Sequence, residues 1–236
     1  MSLIELHQIS KVHALGQQDV PALRDVSLAI EPGEFVAITG PSGSGKSTLL
    51  NILGCLDRPT DGSYRFKDQN VVSLSSDQLA RLRNRHLGYV FQNFGLLPRL
   101  TAQENLELPL RYRGIGKKER GETSRLFLKA FSLAERHRHM PTQLSGGEQQ
   151  RLAIARAVIG EPDVLFADEP TGALDSKTGA SILSLFQRLN KTGLTIILVT
   201  HEETIANNAG RIIAIKDGAI QSDRNGRRSA PLGESP

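Results

Sequence analysis

With 236 residues, a formal net charge of +4 and one cysteine, Cys55, the chain is long enough for one large α/β domain or for a core carrying a subdomain. The charge is too mild to argue for a nucleic-acid partner, the lone cysteine excludes an intrachain disulfide and fits a reducing compartment, and no run approaches the roughly 20 apolar residues of a membrane span. The N-terminus lacks the uninterrupted apolar stretch of a signal peptide, so a chain that is soluble, or held at a membrane through a partner, is expected.

In chain order, residues 3–9 alternate apolar and polar side chains and read as a half-buried strand. Residues 11–21 read as a polar loop, and residues 24–30, with Val26, Leu28 and Ile30 on one face, as a second strand. Pro32-Gly33 turns the chain into an apolar strand over 34–39. Next comes Gly40-Pro41-Ser42-Gly43-Ser44-Gly45-Lys46-Ser47-Thr48, which fits G-x-x-x-x-G-K-[ST], with a helix predicted from about Lys46. Cys55 falls on the apolar helix that follows and reads as a packed core thiol. A turn at 59–62, a short strand at 63–66, a helix at 77–85 and a buried strand at 87–91 that stops at Gln92 come next.

From about Thr101 the character turns helical. Thr101-Ala102-Gln103-Glu104 is a capping-box pattern ahead of Leu106, Leu108 and Leu110, and residues 117–131 give a further helix. Helix 146–158, strand 163–167, helix 176–190 and strand 194–200 then alternate, the pattern of right-handed crossovers in a parallel sheet. Residues 211–215, the Asp217-Gly218 turn and residues 219–221 predict a closing hairpin, and 222–236 a disordered tail. The predicted fold class is therefore α/β: a P-loop NTPase core with a mostly parallel sheet, an N-terminal antiparallel β-subdomain and an inserted α-helical subdomain at about 101–158. Residues 1–221 would form one domain.

The phosphate-cradling loop organises the chemistry. Its glycines let backbone N–H groups approach an anion, and the positive end of the following helix points at the same phosphates. Lys46 would sit on the β- and γ-phosphates, and the Ser47 hydroxyl would hold Mg²⁺. Asp168-Glu169 ends the strand Val164-Leu165-Phe166-Ala167, where a Mg²⁺ ligand belongs; Asp168 would hold the metal and Glu169 would polarise the attacking water. Taken alone, such an acidic pair also fits a helix N-cap. Ser145-Gly146-Gly147 opens another helix and makes a second anion site, suggesting two chains that share each nucleotide; spacing alone does not separate this from a plain Ser N-cap with a glycine turn.

Leu144-Ser145-Gly146-Gly147-Glu148-Gln149-Gln150-Arg151 resembles the signature motif of the ABC-type ATPases, the nucleotide-binding subunits of ATP-binding-cassette transporters. The other motifs match that family in order over roughly residues 3–221, and residues 91–105 and 168–175 are similar to its bacterial macrolide-export and lipoprotein-release branch. The resemblance implies ATP as nucleotide and hydrolysis of it, with Mg²⁺. It implies that Gln92 reaches the metal and the water, that His201 contacts the γ-phosphate, and that Ala173-Leu174-Asp175 is the D-loop. Ser145 and Gly147 would clamp the nucleotide of a second ATPase subunit, making a homodimer on ATP.

The implied partner is a separately encoded integral membrane permease reached at the cytoplasmic face of the inner membrane, with no nucleic acid. A soluble ABC protein acting on nucleic acid or ribosomes is the alternative. Two departures stand out: His13 aligns where the family stacks an aromatic on adenine, and Ala173 replaces an Asn common in the narrower branch. Phe94, Leu96, Leu97 and Pro98 crowd a loop where polar residues are expected, which fits either a local packing cluster or a groove for a short helix of the permease.

Overall fold

The computed structural model describes residues 2–16 and 18–226. In chain order its elements are β1 (Ile4–Leu15), β2 (Gln18–Ile30), β3 (Phe35–Thr39), α1 (Lys46–Leu53), β4 (Asp61–Phe66), β5 (Gln69–Asn70), α2 (Ser76–His86), β6 (Leu87–Val90), α3 (Ala102–Tyr112) and α4 (Lys117–Ala130). Single 3-10 turns at Ala134–Arg136 and Pro141–Gln143 lead to α5 (Gly146–Val158), β7 (Val164–Asp168), α6 (Ser176–Lys191), β8 (Thr195–Val199), α7 (Glu203–Ala206), β9 (Arg211–Lys216) and β10 (Ala219–Asn225). The chain divides into two compact units: residues up to Leu79 together with those from Leu189 on, and Ala80–Arg188.

In the first unit an antiparallel sheet runs in the order β2-β1-β4-β5. Beside it, β3 lies parallel to both β8 and β9, and β10 pairs antiparallel with β9. Strands covered on both faces read as unbroken apolar runs, which is why Phe35–Ile38 and all of Thr195–Val199 are buried. The expected loop at 11–21 is instead the far half of the β1–β2 hairpin, with Val12 opposite Pro21 and His13 opposite Val20. The register shifts repeatedly between Leu6 and Val12, and Gln8 takes a left-handed φ of 51°. Beyond Val12 the pairing is regular, but this far half of the hairpin is exposed or half-buried, so it lacks the apolar alternation by which sequence reveals a strand.

The closing hairpin also runs past its predicted end, through Asn225. Arg211 explains the extension: its Nε and Nη2 donate to both carboxylate oxygens of Asp223 (2.8 and 2.6 Å), while Nη1 donates to Glu34 (3.0 Å) and to the Ala29 carbonyl (2.9 Å). Two carboxylates on one guanidinium hold its proton more tightly than usual, Asp223 contributing most. Residues 227–236 of the expected tail lie outside the described residues. Cys55 is buried as expected, but just beyond α1 rather than on it, with its thiol 3.9 Å from the Tyr64 hydroxyl.

In the second unit β6 pairs parallel with β7, from Leu87 opposite Val164 to Val90 opposite Ala167. The Tyr89 ring stacks on Phe91 and Phe166, with centroids 5.6 and 5.2 Å away. The capping box at α3 forms as read: Thr101 Oγ1 accepts from the Glu104 N–H (3.2 Å), and Glu104 accepts from the Thr101 N–H (2.8 Å). At the other end of α3, Arg113 donates to the carbonyls of Asn84, Arg85 and Gly160, closing the last turn of α2 and the segment after α5 with one side chain. Burial lowers its pKa without threatening its charge.

Candidate active site

The phosphate loop leaves β3 at Thr39 and enters α1 at Lys46. Gly45 sits at φ +100°, and a Cβ there would lie 2.5 Å from the Ala22 carbonyl; a Cβ on Gly40 would run into the Ile215 carbonyl. The loop is therefore pressed against β2 and the β9–β10 turn, and the Gly218 N–H donates to the Ser44 carbonyl at 3.1 Å. Helix α1 has no side-chain cap and no acidic residue in its first turn. Its N-terminal N–H groups and dipole are thus available to an anion. Among the described residues, the Lys46 ammonium, although buried, donates only to the carbonyls of Gly40 (2.9 Å) and Pro41 (2.8 Å), and the buried Ser44 hydroxyl has no hydrogen-bond partner. A buried charge facing neutral carbonyls and an orphaned buried hydroxyl are what a polyphosphate would satisfy.

His201 leaves the same sheet edge. β8 runs parallel to β3 with Val199 opposite Ile38, and the Thr200 N–H donates to the Ile38 carbonyl at 3.1 Å. Gly40 and the exposed His201 therefore follow the carboxyl ends of neighbouring parallel strands, the edge at which α/β sheets hold ligands. His13 lies on the β1–β2 hairpin of this unit, half-buried. Its neighbour Lys11 bridges Asp57 at 2.7 Å, and that contact is the chief one lowering the Asp57 carboxyl against its desolvation.

The second unit repeats this logic. Gln92 follows β6, Asp168 ends β7, and Gln92 Nε2 donates to Glu169 Oε2 at 3.1 Å. Glu169 has φ +44°, a left-handed conformation that costs a non-glycine residue about 1–3 kcal/mol. Its surroundings hold it there: the Gly172 N–H donates to the Glu169 carbonyl (3.1 Å), and Gln150 Nε2 donates to the Pro170 carbonyl (2.6 Å). Gln150 is 1% exposed, so the helix that carries the signature motif is tied directly to the carboxylate turn. Sequence reasoning missed this residue, although its place in the stripe Gln150, Ile154, Val158 marks a polar group on a buried face.

Ser145 caps α5 with Glu148 in a second capping box: the Glu148 N–H donates to Ser145 Oγ (3.3 Å), and Glu148 accepts from the Ser145 N–H (2.8 Å). Arg136 Nε donates to the other Glu148 oxygen at 2.9 Å, and this bond, with the Ser145 N–H, holds the carboxyl at about 2. The cap reading is met, and it uses only the acceptor side of the Ser145 hydroxyl. Gly146 and Gly147 lie against Leu174 and Thr178; a Cβ on Gly147 would come within 2.6 Å of the Thr178 methyl. Asp175, the last residue of the expected D-loop, caps α6, accepting from the Thr178 hydroxyl (2.6 Å) and N–H (3.0 Å). The pattern Asp175-x-x-Thr178 carries that cap signal in the sequence.

Residues 23–172 match the sequence model of the ABC transporter family. The chain belongs to that family. It is 54% identical, over its full length, to the macrolide export ATP-binding/permease protein MacB of Syntrophobacter fumaroxidans, of which it spans 33%. It is 50% identical to the ABC transporter ATP-binding protein YknY of Bacillus subtilis, covering 96% of this chain and 99% of that one. The chain thus spans about a third of the MacB relatives but nearly all of YknY. A dimeric structure of a post-hydrolysis state of the ATP-binding cassette MJ0796, bound to ADP and Pi, superposes with a TM-score of 0.88 at 44% identity, covering 96% of this chain and all of the other. The fold is that of an ABC ATPase cassette, as the resemblance implied.

Beyond Gln92 the chain runs through the crowded apolar loop. Phe91 and Leu97 are 42% and 45% exposed, Pro98 is exposed, and Phe94 and Leu96 are half-buried. Arg156 donates to the carbonyls of Gly95 (2.7 Å) and Phe94 (3.2 Å). Asn105, fully buried, accepts from the Leu97 N–H (2.8 Å) and donates to the carbonyls of Leu97, Leu100 and Thr101 (3.0–3.1 Å).

Proposed function

We propose that this chain is the ATP-binding and ATP-hydrolysing subunit of an ABC transporter, dimerising on ATP to drive a membrane permease in export or in cell-envelope lipoprotein handling. The observation that carries this reading is the phosphate loop, where an uncapped helix end, a buried ammonium and an orphaned buried hydroxyl meet on one turn of chain. Residues 1–221 act as one nucleotide-binding domain with its helical part at about 101–158.

In this reading Gly40, Pro41, Ser42, Gly43, Ser44, Gly45 and Thr48 wrap the phosphates, with Lys46 as the cation. Ser47, Asp168 and the Gln92 amide oxygen are hard oxygen donors suited to Mg²⁺. When bound, that ion neutralises charge on the transferred phosphoryl group. Glu169 accepts the proton of the attacking water, while Gln92 and His201 orient that water against the γ-phosphate. His13 lies under the adenine. Ser145, Gly146, Gly147 and Asp175 serve the nucleotide of a second copy, an isologous pairing about a twofold axis.

The test is assembly. The full chain carrying Glu169→Gln should run as a dimer in size-exclusion chromatography with saturating ATP and Mg²⁺ and as a monomer without nucleotide. A monomer under both conditions would count against the reading.

No helix among the described residues is long and apolar enough to cross a membrane. We assign membrane attachment, at the cytoplasmic face, to the permease. The exposed apolar loop after Gln92 suits a short permease helix laid into a groove. Replacing Leu96 and Leu97 together with Ser should cost permease binding tenfold or more, about 1.4 kcal/mol or above, while ATP hydrolysis by the isolated chain changes less than twofold. Normal assembly and transport by the double variant would move the coupling surface elsewhere.

A further inference from the structure

We infer that Arg136 is a positioning residue for the nucleotide contact of the signature helix, acting by cancelling the charge of Glu148. The inference rests on the reading that Ser145 to Gly147 meet a partner's triphosphate. It starts from a conflict in that helix end. Glu148 fixes the Ser145 backbone by accepting its N–H at 2.8 Å, so the cap needs an acceptor side chain three residues after Ser145. A carboxylate in the first turn is favourable for the helix alone, because it faces the positive dipole end. It is unfavourable once a triphosphate must approach the same end, because the two anions compete for one set of N–H groups.

Arg136 resolves the conflict. It lies in the 3-10 turn Ala134–Arg136, outside the signature motif, and its Nε donates to the Glu148 oxygen that does not serve Ser145, at 2.9 Å. Glu148 is thus divided between its two oxygens: one shapes the cap, the other is neutralised. The Glu148 side chain is 18% exposed and that of Arg136 45% exposed, so solvent alone does not screen the carboxylate as it would a fully exposed one. Glu148 keeps its charge across the whole physiological range, since Arg136 and Ser145 hold its carboxyl at about 2. The compensation must therefore come from the guanidinium and not from protonation.

The test uses the full chain in the Glu169→Gln background and reads the ATP concentration at half-maximal dimer formation by light scattering. Arg136→Gln should raise that concentration roughly two- to thirtyfold, the span of a helix-terminus charge effect. Adding Glu148→Gln, whose amide oxygen still accepts from the Ser145 N–H, should bring the double variant to within about twofold of Glu148→Gln alone. A role of Arg136 in packing would leave the double variant as weak as Arg136→Gln, which would overturn the inference, as would an Arg136→Gln midpoint equal to that of its background. If Arg136→Gln melts early, the comparison of the double variant with Glu148→Gln decides the matter. Failure of the Glu169→Gln background itself to dimerise at saturating ATP would instead strike at the proposed function.

Discussion

Replacing Glu169 with Gln is expected to leave ATP binding in place and to slow its hydrolysis by about a hundredfold to ten-thousandfold, the usual contribution of a positioned general base. Gln matches Glu in shape, can still accept from Gln92 Nε2, and asks nothing new of a backbone already held at φ +44° by the Gly172 N–H and by Gln150 on Pro170. The substitution therefore removes proton affinity and little else. Phosphate release under single-turnover conditions, set beside ATP affinity from a fluorescent analogue, separates the two quantities. Hydrolysis at the parent's rate would remove Glu169 from the role of base.

Lys46→Ala should act one step earlier, on binding. A charge-assisted hydrogen bond contributes about 1.5–3 kcal/mol, so ATP affinity should fall roughly ten- to 150-fold. Without nucleotide the stability change should be small and of either sign, because the ammonium's two bonds to the Gly40 and Pro41 carbonyls are offset by the cost of burying its charge. The diagnostic measurement is the melting temperature with and without ATP-Mg²⁺. The parent should gain several degrees and the variant almost none, since stabilisation by a ligand grows with its concentration relative to the dissociation constant. An equal gain in both would show that the phosphates are held without Lys46.

Much of this was legible in the sequence, for reasons that differ by residue. The phosphate loop, Asp168-Glu169 and the signature motif are local: each sits where a strand ends or a helix starts, and contiguous residues make it. The β1–β2 hairpin was not legible over 11–21, because its far half buries neither face, with Val12 and Val20 both exposed, so no apolar alternation marks it. Gln150 and Asn105 escaped for another reason. Each is an amide buried on the apolar side of its helix, Gln150 reaching Pro170 far along the chain and Asn105 folding back on the loop that precedes its helix, and a single sequence shows the position on the stripe without naming the carbonyl it reaches. Arg136 belongs with them, since its partner lies twelve residues away across two turns.

Asn105 has a further consequence for how a permease would be met. Every hydrogen-bonding direction of its side chain but one lone pair is spent on the backbone of Leu97, Leu100 and Thr101. The exposed Leu97 is therefore mounted on main chain already frozen in one shape, and a partner helix arriving there has little disorder left to remove. Ordering a loop on contact commonly subtracts about 0.5–1.5 kcal/mol for each side chain immobilised. Here most of the backbone share of that loss has already been taken during folding of the second unit. Complex formation at such a surface should be governed by how fast the partner leaves rather than by a slow search for the right loop conformation, with an association rate that barely changes when the loop is stiffened further.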